Sequence, residues 1–347
     1  MIFKSRSYFL FLILCLLLPI QNILAQDLKR YEFTDQQMGT LFKITFYADD
    51  DSLAEAASRN AFQRADTLNS ILSDYEPDSN LNYLSARSGT DRFFPVDPVL
   101  FRVISKAQLV ARQTEGAFDI TTGPLVKLWR SIRHSKNPEL PPSAKLQALK
   151  QRVGYRYVEV DSSRTAVALT HPRMQLDLGG IAKGYAADEI LRVLNQSGIQ
   201  SALVDAGGDI RLGAPPPGKK GWTVRIPAHN EKGEPEAVTL LLANSAVATS
   251  GDLFQHVNIN GKRYSHIIDP HTGLGLTNQS MVTIIAPNGI TADSYASAVS
   301  VMGAEGGRAF IESRPQCAMR IEYSSKRGNS EIMVVKTNDF DALTLNP

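Results

Sequence analysis

The run Asp177-Leu178-Gly179-Gly180-Ile181-Ala182-Lys183-Gly184-Tyr185-Ala186-Ala187-Asp188 constrains this chain more than any other stretch. It joins an apolar segment, Met174–Leu178, read as a buried strand, to a helix predicted from about Ile181 to Gln196 and closed by Gly198. A strand ending in an acid, paired glycines that let the backbone approach a ligand, and a helix whose first N–H groups and Lys183 favour an anion describe a pyrophosphate cradle. The same residues also describe a plain glycine turn between strand and helix. They match neither the Gly-Lys-Ser/Thr of a Walker loop nor the GxGxxG of dinucleotide folds.

Three further stretches carry candidate chemistry. Val204-Asp205-Ala206-Gly207-Gly208-Asp209-Ile210 repeats the acid and glycine pair, either as a second ligand turn or as a hairpin with a solvated Asp. In Thr291-Ala292-Asp293-Ser294-Tyr295-Ala296-Ser297-Ala298, Asp293 and Ser297 are four apart and share one helical face. A carboxylate and a hydroxyl there suit Mg²⁺, and equally a dipole-stabilised acid beside a small packing serine. His266, in Tyr264-Ser265-His266-Ile267-Ile268-Asp269-Pro270-His271-Thr272-Gly273, is the best acid–base candidate of the six histidines, because it sits where a strand meets a Pro/Gly turn. Asp269-Pro270 and Thr272-Gly273 also read as turn chemistry. No HExxH or CxxC points to zinc, and Ala248-Thr249-Ser250-Gly251-Asp252 lacks the GxSxG of a hydrolase elbow.

Around these motifs the periodicity favours an α+β fold. Ser52 and Glu55 read as a capping box for a helix whose Leu53, Ala57, Ala61, Ala65, Leu68 and Leu72 recur at helical spacing. A second helix is predicted over Pro98–Gln113 and stops at Gly116. Residues 131–145 read as an exposed loop with little chemistry, before a short helix at 143–151. Short β-rich runs follow at Tyr155–Val160, Ala166–Leu169, Ala202–Val204, Trp222–Ile226, Val238–Leu242, His256–Ile259, Met281–Ala286, Ala318–Tyr323 and Ile332–Val335, with one helix at Ala292–Met302. The strands come in antiparallel-looking clusters rather than β-α-β alternation, against a doubly wound sheet.

The 347 residues are 43% hydrophobic and 21% charged, which excludes disordered, collagen-like and disulfide-stapled classes. Lys4 and Arg6 precede an apolar run from Tyr8 to Ile20 and a small-residue site ending at Ala25, so residues 1–25 read as an export signal. The run is shorter than a membrane-spanning helix needs, and Pro19, Gln21 and Asn22 end it. Without that segment 35 positive charges face 35 negative ones, against non-specific nucleic-acid binding. Only Cys317 then remains, so no internal disulfide forms; Cys15 lacks the small preceding residue of a lipidation site. The expected protein is exported, periplasmic and soluble.

Met38-Gly39-Thr40, Tyr75-Glu76-Pro77-Asp78-Ser79, Gly116-Ala117-Phe118-Asp119-Ile120-Thr121, the 177–188 run, Asp205-Ala206-Gly207-Gly208-Asp209, His266-Ile267-Ile268-Asp269-Pro270 and Ala292-Asp293 stand in this order. Together, from about residue 35 to 336, they closely resemble the FAD:protein FMN transferase family, also called ApbE. The resemblance implies a single large T-fold-like α+β domain over residues 26–347, with antiparallel-rich sheets flanked by helices. It also implies Mg²⁺-dependent transfer of FMN from FAD to a threonine of a target protein, with AMP released. The targets it suggests are respiratory electron-transfer subunits or other exported flavoproteins.

By motif position, Met38 and Tyr75 would hold the flavin ring, and Ala117, Phe118 and Asp119 would line the FAD site. Asp177 and Lys183 would contact FAD, with Ile267 or Ile268 packing on the nucleotide. The Gly180 carbonyl would join Asp293 and Ser297 around Mg²⁺, and His266 would be the base for the incoming hydroxyl. Three departures from the family pattern stand out: Ser297 replaces a usual threonine, Ala296 stands where some members carry an acid, and the lipidated cysteine frequent in exported members is absent. Two rival activities use nearly the same residues, namely an FAD pyrophosphatase releasing FMN and AMP, and an exported FAD-binding protein.

Overall fold

The computed structural model describes residues 28–229, 234–251, 255–324 and 332–345. The export segment lies outside them. Among the described residues no helix is long and apolar enough to cross a membrane.

The chain opens with a hairpin of β1 (Lys29–Gln37) and β2 (Thr40–Ala48) that turns at Met38-Gly39. Helix α1 (Asp51–Leu72) follows, and its cap is Asp50, whose carboxylate accepts from Leu53 N at 2.8 Å. The cap therefore lies two residues before the expected Ser52, because the acid reaches the free N–H first. A short α2 (Asn80–Ser85), β3 (Phe94–Pro95) and α3 (Pro98–Gln113) lead into α4 (Gly123–Arg133) and α5 (Ser143–Lys150). Strand β5 (Ala166–Leu169) pairs with both β3 and β4 (Val158–Asp161) in a small antiparallel sheet.

After α6 (Ala182–Gln196) come β6 (Ala202–Ala206), β7 (Ile210–Leu212), β8 (Trp222–His229), β9 (Pro235–Leu242), β10 (Ala246–Gly251), β11 (His256–Ile259), β12 (Lys262–Ser265) and β13 (Ser280–Ala286). Helix α7 (Gly289–Glu312) is broken at Gly303, where φ is 76°, and β14 (Ala318–Ser324) and β15 (Ile332–Lys336) end the described fold. The principal sheet has eight antiparallel strands in the order β1-β2-β6-β7-β10-β13-β14-β15.

Alternation along the strands decides the layers. Phe42, Ile44 and Phe46 of β2, with Val282 and Ile284 of β13, turn one way and bury against Ala57, Ala61, Ile190 and Val299 of the helices. Each large apolar side chain buried there stabilises by about 2 kcal/mol relative to exposure. Leu212, Val247 and Ile285 turn the other way and are covered by Trp222, Val224 and Leu240 of the β8–β9 hairpin. A satellite core joins Leu125 and Trp129 of α4 to Val257 and Tyr264 of the β11–β12 hairpin and to Ile268.

Several sequence expectations are corrected. Residues 174–178 are extended and alternately buried, yet they form no strand, having only a single bridge from Gln175 to Thr122. Their polar groups go elsewhere: Leu176 N donates to Ser85 Oγ and Asp177 N to Ile120 O. Alternation reported burial, not a ladder. Tyr155–Tyr157 is a 3₁₀ turn ahead of β4 rather than strand. The segment read as a loop from residue 131 begins inside α4, whose Leu125, Leu128 and Trp129 hold it against the core. The turn at 205–209 is a β6–β7 hairpin, but Asp209 is buried rather than solvated.

Candidate active site

Two helices begin at the site and touch through glycine. A Cβ on Gly184 would lie 2.1 Å from Gly289 O, and one on Gly289 would lie 2.3 Å from Gly184 O. Only bare backbone permits α6 and α7 to approach this closely. Asp188 fixes the crossing, its two oxygens accepting from Gly289 N at 2.8 Å and Ile290 N at 2.9 Å, while Arg211 pairs with it. The crossing brings Asp293 onto α6, where Oδ2 accepts from Gly184 N at 3.0 Å. One turn on, Ser297 lies against Gly180, whose missing Cβ would be 2.6 Å from Ser297 Oγ and 3.4 Å from the Phe118 ring.

Charge at this point is concentrated and buried. Lys183 pairs with Asp209, and the carboxylates of Asp209, Asp293 and Asp205 overcome the burial that pulls the ammonium down, holding it above its ordinary range. Burial, reinforced by Asp209, pushes Asp293 up to about 8. Asp209 is raised by burial as well, against the pull of Lys183. Asp293 thus stays protonated more readily than a free carboxyl despite Lys183 nearby, and a bound cation would favour its ionised form. Among the described residues no cluster of three or more His, Cys, Asp and Glu could hold a metal. The Gly180–Asp293–Ser297 set is of another kind, one carboxylate with a hydroxyl and a backbone carbonyl, all hard oxygen donors that fit Mg²⁺.

The groove extends from there in two directions. Gly207 packs on Thr40, where its Cβ would lie 2.5 Å from Cγ2, so the Met38-Gly39 hairpin tip abuts the 205–209 turn. On the other side Asp177 Oδ1 accepts from Gly179 N at 2.8 Å, and Arg130 Nη2 stands 3.7 Å from Asp177 Oδ2. Burial and the neighbouring Asp74 raise Asp177 to about 6. Arg130 also donates to Asp74 at 3.0 Å and lies over the Tyr75 ring, which is 69% exposed.

His266 faces this field from the loop after β12. Its Nδ1 lies 3.1 Å from Gln255 O, a carbonyl that can only accept, so the proton sits on Nδ1 and Nε2 keeps a free lone pair. Burial and then the Arg133 cation bring its pKa down to about 4, leaving the ring neutral at physiological pH. The loop is held by Trp129 Nε1 donating to Gly273 O at 2.9 Å, and Asp269 is taken up by its turn, accepting from His271 N and Thr272 Oγ1.

The ApbE family model matches residues 38–321, spanning every element of this groove. The chain belongs to the ApbE family. It is 31% identical over 272 residues to an FAD:protein FMN transferase of Klebsiella pneumoniae, covering 77% of each chain. An FAD:protein FMN transferase of Vibrio cholerae is 30% identical, over 87% of this chain and 86% of its own. The solved structure of the flavin transferase ApbE from Vibrio cholerae superposes with a TM-score of 0.82 at 26% identity, over 91% of this chain and 99% of that one.

Within this ApbE fold, contacts link Tyr75 to Asp177 through Arg130, Gly180 to Phe118 and Ser297, and Lys183 to Asp209 and Asp293. Lys183 and Arg133 both act on His266, and Met38 adjoins the set through the hairpin tip beside Gly207. Ala117 is buried beside Phe118. Asp119 lines the same turn, but its oxygens are engaged by the chain itself, accepting from Thr121 N and Oγ1 and from Tyr155 N at 2.7–2.8 Å. Ile268 packs under the groove with Leu125 and Trp129, while Ile267 is half-buried at its wall. Reading the sequence missed α4 altogether, and with it Arg130 and Arg133. Pro124 in its first turn and the apolar Leu125, Leu128, Trp129 and Ile132 were the available signal.

Proposed function

We propose that the protein transfers the FMN half of FAD to a threonine hydroxyl of an acceptor protein, releasing AMP, with Mg²⁺ as the metal. The observation that carries this reading is the meeting at the α6–α7 crossing of the Gly180 backbone with Ser297 Oγ and, one turn away, of the buried Asp293 carboxylate with the N-terminus of α6. The name borne by its ApbE relatives supports the same chemistry.

The pyrophosphate of FAD would lie at the N-terminus of α6, where the helix dipole favours anions although Ala182 N and Gly184 N are already taken by Leu178 O and Asp293. Lys183 neutralises Asp209 and so removes one of the negative charges the pyrophosphate would meet there. Asp293, Ser297 and the Gly180 carbonyl would hold Mg²⁺, which when bound neutralises phosphate oxygens and eases departure of AMP. Tyr75 offers the ring face left open by Arg130 to the flavin, and Phe118 walls the groove beside Gly180.

The hydroxyl oxygen forms a bond to the FMN-side phosphorus as the bond from that phosphorus to the AMP oxygen breaks. Its proton passes to Nε2 of His266, the lone pair that the Nδ1 contact to Gln255 leaves free. The dianionic pyrophosphate opposes the field of Arg133 and raises the imidazole from its low resting value toward the operating pH. The reading includes export to the periplasm, supported by residues 1–25, and acceptors among electron-transfer or other exported flavoproteins.

The test is mass spectrometry of the mature protein incubated with FAD, Mg²⁺ and an exported threonine-bearing flavoprotein domain, with a chelator control. Covalent FMN on the acceptor, only with metal, is the expected result; free FMN and AMP with the acceptor unmodified, or FAD left intact, would overturn the transfer reading.

A further inference from the structure

A second charged site lies on the opposite flank of α6, between that helix, α1 and α3. Glu189, buried to 5% exposure, is held by two arginines in fork geometry. Arg64 donates Nε and Nη2 to Glu189 Oε2 at 3.0 and 2.5 Å, and Arg192 donates Nε to Oε1 at 3.1 Å and Nη2 to Oε2 at 3.0 Å. A third, Arg102, stands with Nη1 4.0 Å from Glu189 Oε1. Three guanidinium groups thus face one carboxylate, and the surplus of two positive charges opens on a cleft of about 300 Å³.

The donors that remain are what marks this as more than a structural ion-pair network. The bonds to Glu189 use Nε and Nη2 of Arg64 and of Arg192, which leaves their Nη1 groups available at the partly exposed rim of the cleft. Tyr185 lines the same cleft at 4% exposure, and its buried hydroxyl has no well-formed hydrogen bond, only the adjacent Arg102 guanidinium, a donor that leaves the hydroxyl's own proton without an acceptor. A buried hydroxyl with no acceptor for its proton, beside guanidinium groups with donors to spare, suits an acceptor with several oxygens. Two surplus charges match a dianion, and planar forks match phosphate in particular. Pro98 and Val99 form an apolar wall beside these donors.

We propose that this cleft binds a phosphate group, carried by a small phosphomonoester whose organic part lies on Pro98 and Val99 or supplied as free phosphate. Glu189 orients the arginines rather than repelling the ligand, since its own charge is already matched twice. The site is separate from the groove: Tyr185, Glu189 and Arg192 occupy the α6 face turned to α1 and α3, whereas Gly184 and Asp188 occupy the face turned to α7.

Isothermal titration of the full protein, saturated with FAD and free of metal so that the groove is filled, tests this with inorganic phosphate and with phenyl phosphate as separate probes. One saturable site with a Kd of about 1 mM or tighter is expected. Arg102→Gln, at an exposed side chain, should weaken it about tenfold and Tyr185→Phe by a similar factor, with FAD affinity and thermal unfolding unchanged. Tighter binding of phenyl phosphate assigns the site to phosphomonoesters, and equal binding assigns it to free phosphate. No saturation by about 10 mM of either probe, or binding that both variants leave intact, overturns the proposal.

Discussion

The guanidinium carbon of Arg130 sits 3.8 Å from the centroid of the Tyr75 ring while Nη1 of the same side chain donates to Asp74 at 3.0 Å. One cation therefore fixes the orientation of an exposed aromatic and, from 3.7 Å, favours the ionised form of Asp177 against the burial that opposes it. Arg130→Gln should weaken FAD binding roughly three- to thirty-fold, the range expected for a lost cation–π contact, with kcat less affected than KM. Removing a positive charge must also raise Asp177 further above its value of about 6. Flavin fluorescence titration and carboxyl NMR check both; unchanged FAD affinity would remove Arg130 from flavin positioning.

The crossing of α6 and α7 tolerates no side chain. Gly184→Ala places a methyl 2.1 Å from Gly289 O and 2.7 Å from Asp293 Cβ. The helices must separate, at about 1–3 kcal/mol in denaturant unfolding. Since Asp293 is oriented by Gly184 N, the metal concentration for half-maximal activity should rise in step. Wild-type stability in this variant would refute the close crossing.

His266→Ala should reduce transfer by about 10²–10⁴-fold and leave FAD affinity unchanged. In the free protein the imidazole should titrate near 4, below its ordinary 6.5, because burial and Arg133 disfavour the cation. Protonation removes the base only beneath that midpoint, so neutral pH leaves it fully competent. Arg133→Gln withdraws a positive charge, and the midpoint must move upward. Imidazole NMR reads this directly, and a wild-type midpoint at 6.5 would contradict the burial.

Asp293→Ala should lower activity at ordinary Mg²⁺ by more than the roughly 10–100-fold that loss of an outer-sphere partner causes. Ser297→Ala should raise the metal requirement, and Ser297→Thr, which retains the hydroxyl, should not. Full turnover in the presence of a chelator would sink the oxygen-ligand assignment.

The groove was legible in the sequence wherever a backbone requirement left its mark. The paired Gly179-Gly180 announced a close backbone approach and the spacing of Asp293 and Ser297 a shared helical face, whereas Gly184, which permits the helix crossing, drew no such reading. Asp50 and α4 were not visible in the same way. Several polar residues before a helix compete for its first N–H groups, and geometry, not identity, selects among them. Arg130 and Arg133 resemble any solvated charges on an amphipathic helix until the fold turns that helix toward Asp177 and His266. Asp119 shows the converse: it stands in a recognisable motif, yet its carboxylate stitches residue 121 to residue 155.

The hydrogen bond from Gly184 to Asp293 closes a span of 109 residues. Loops of that length close late and slowly, since chain entropy must be given up before the contact is made. Strands β6 to β13 all lie between the two ends, so Asp293 and Ser297 cannot meet the α6 turn until that intervening chain has been made. During synthesis the chain therefore carries no assembled flavin or metal site until α7 has emerged, and a chain cut short before Gly289 has none at all.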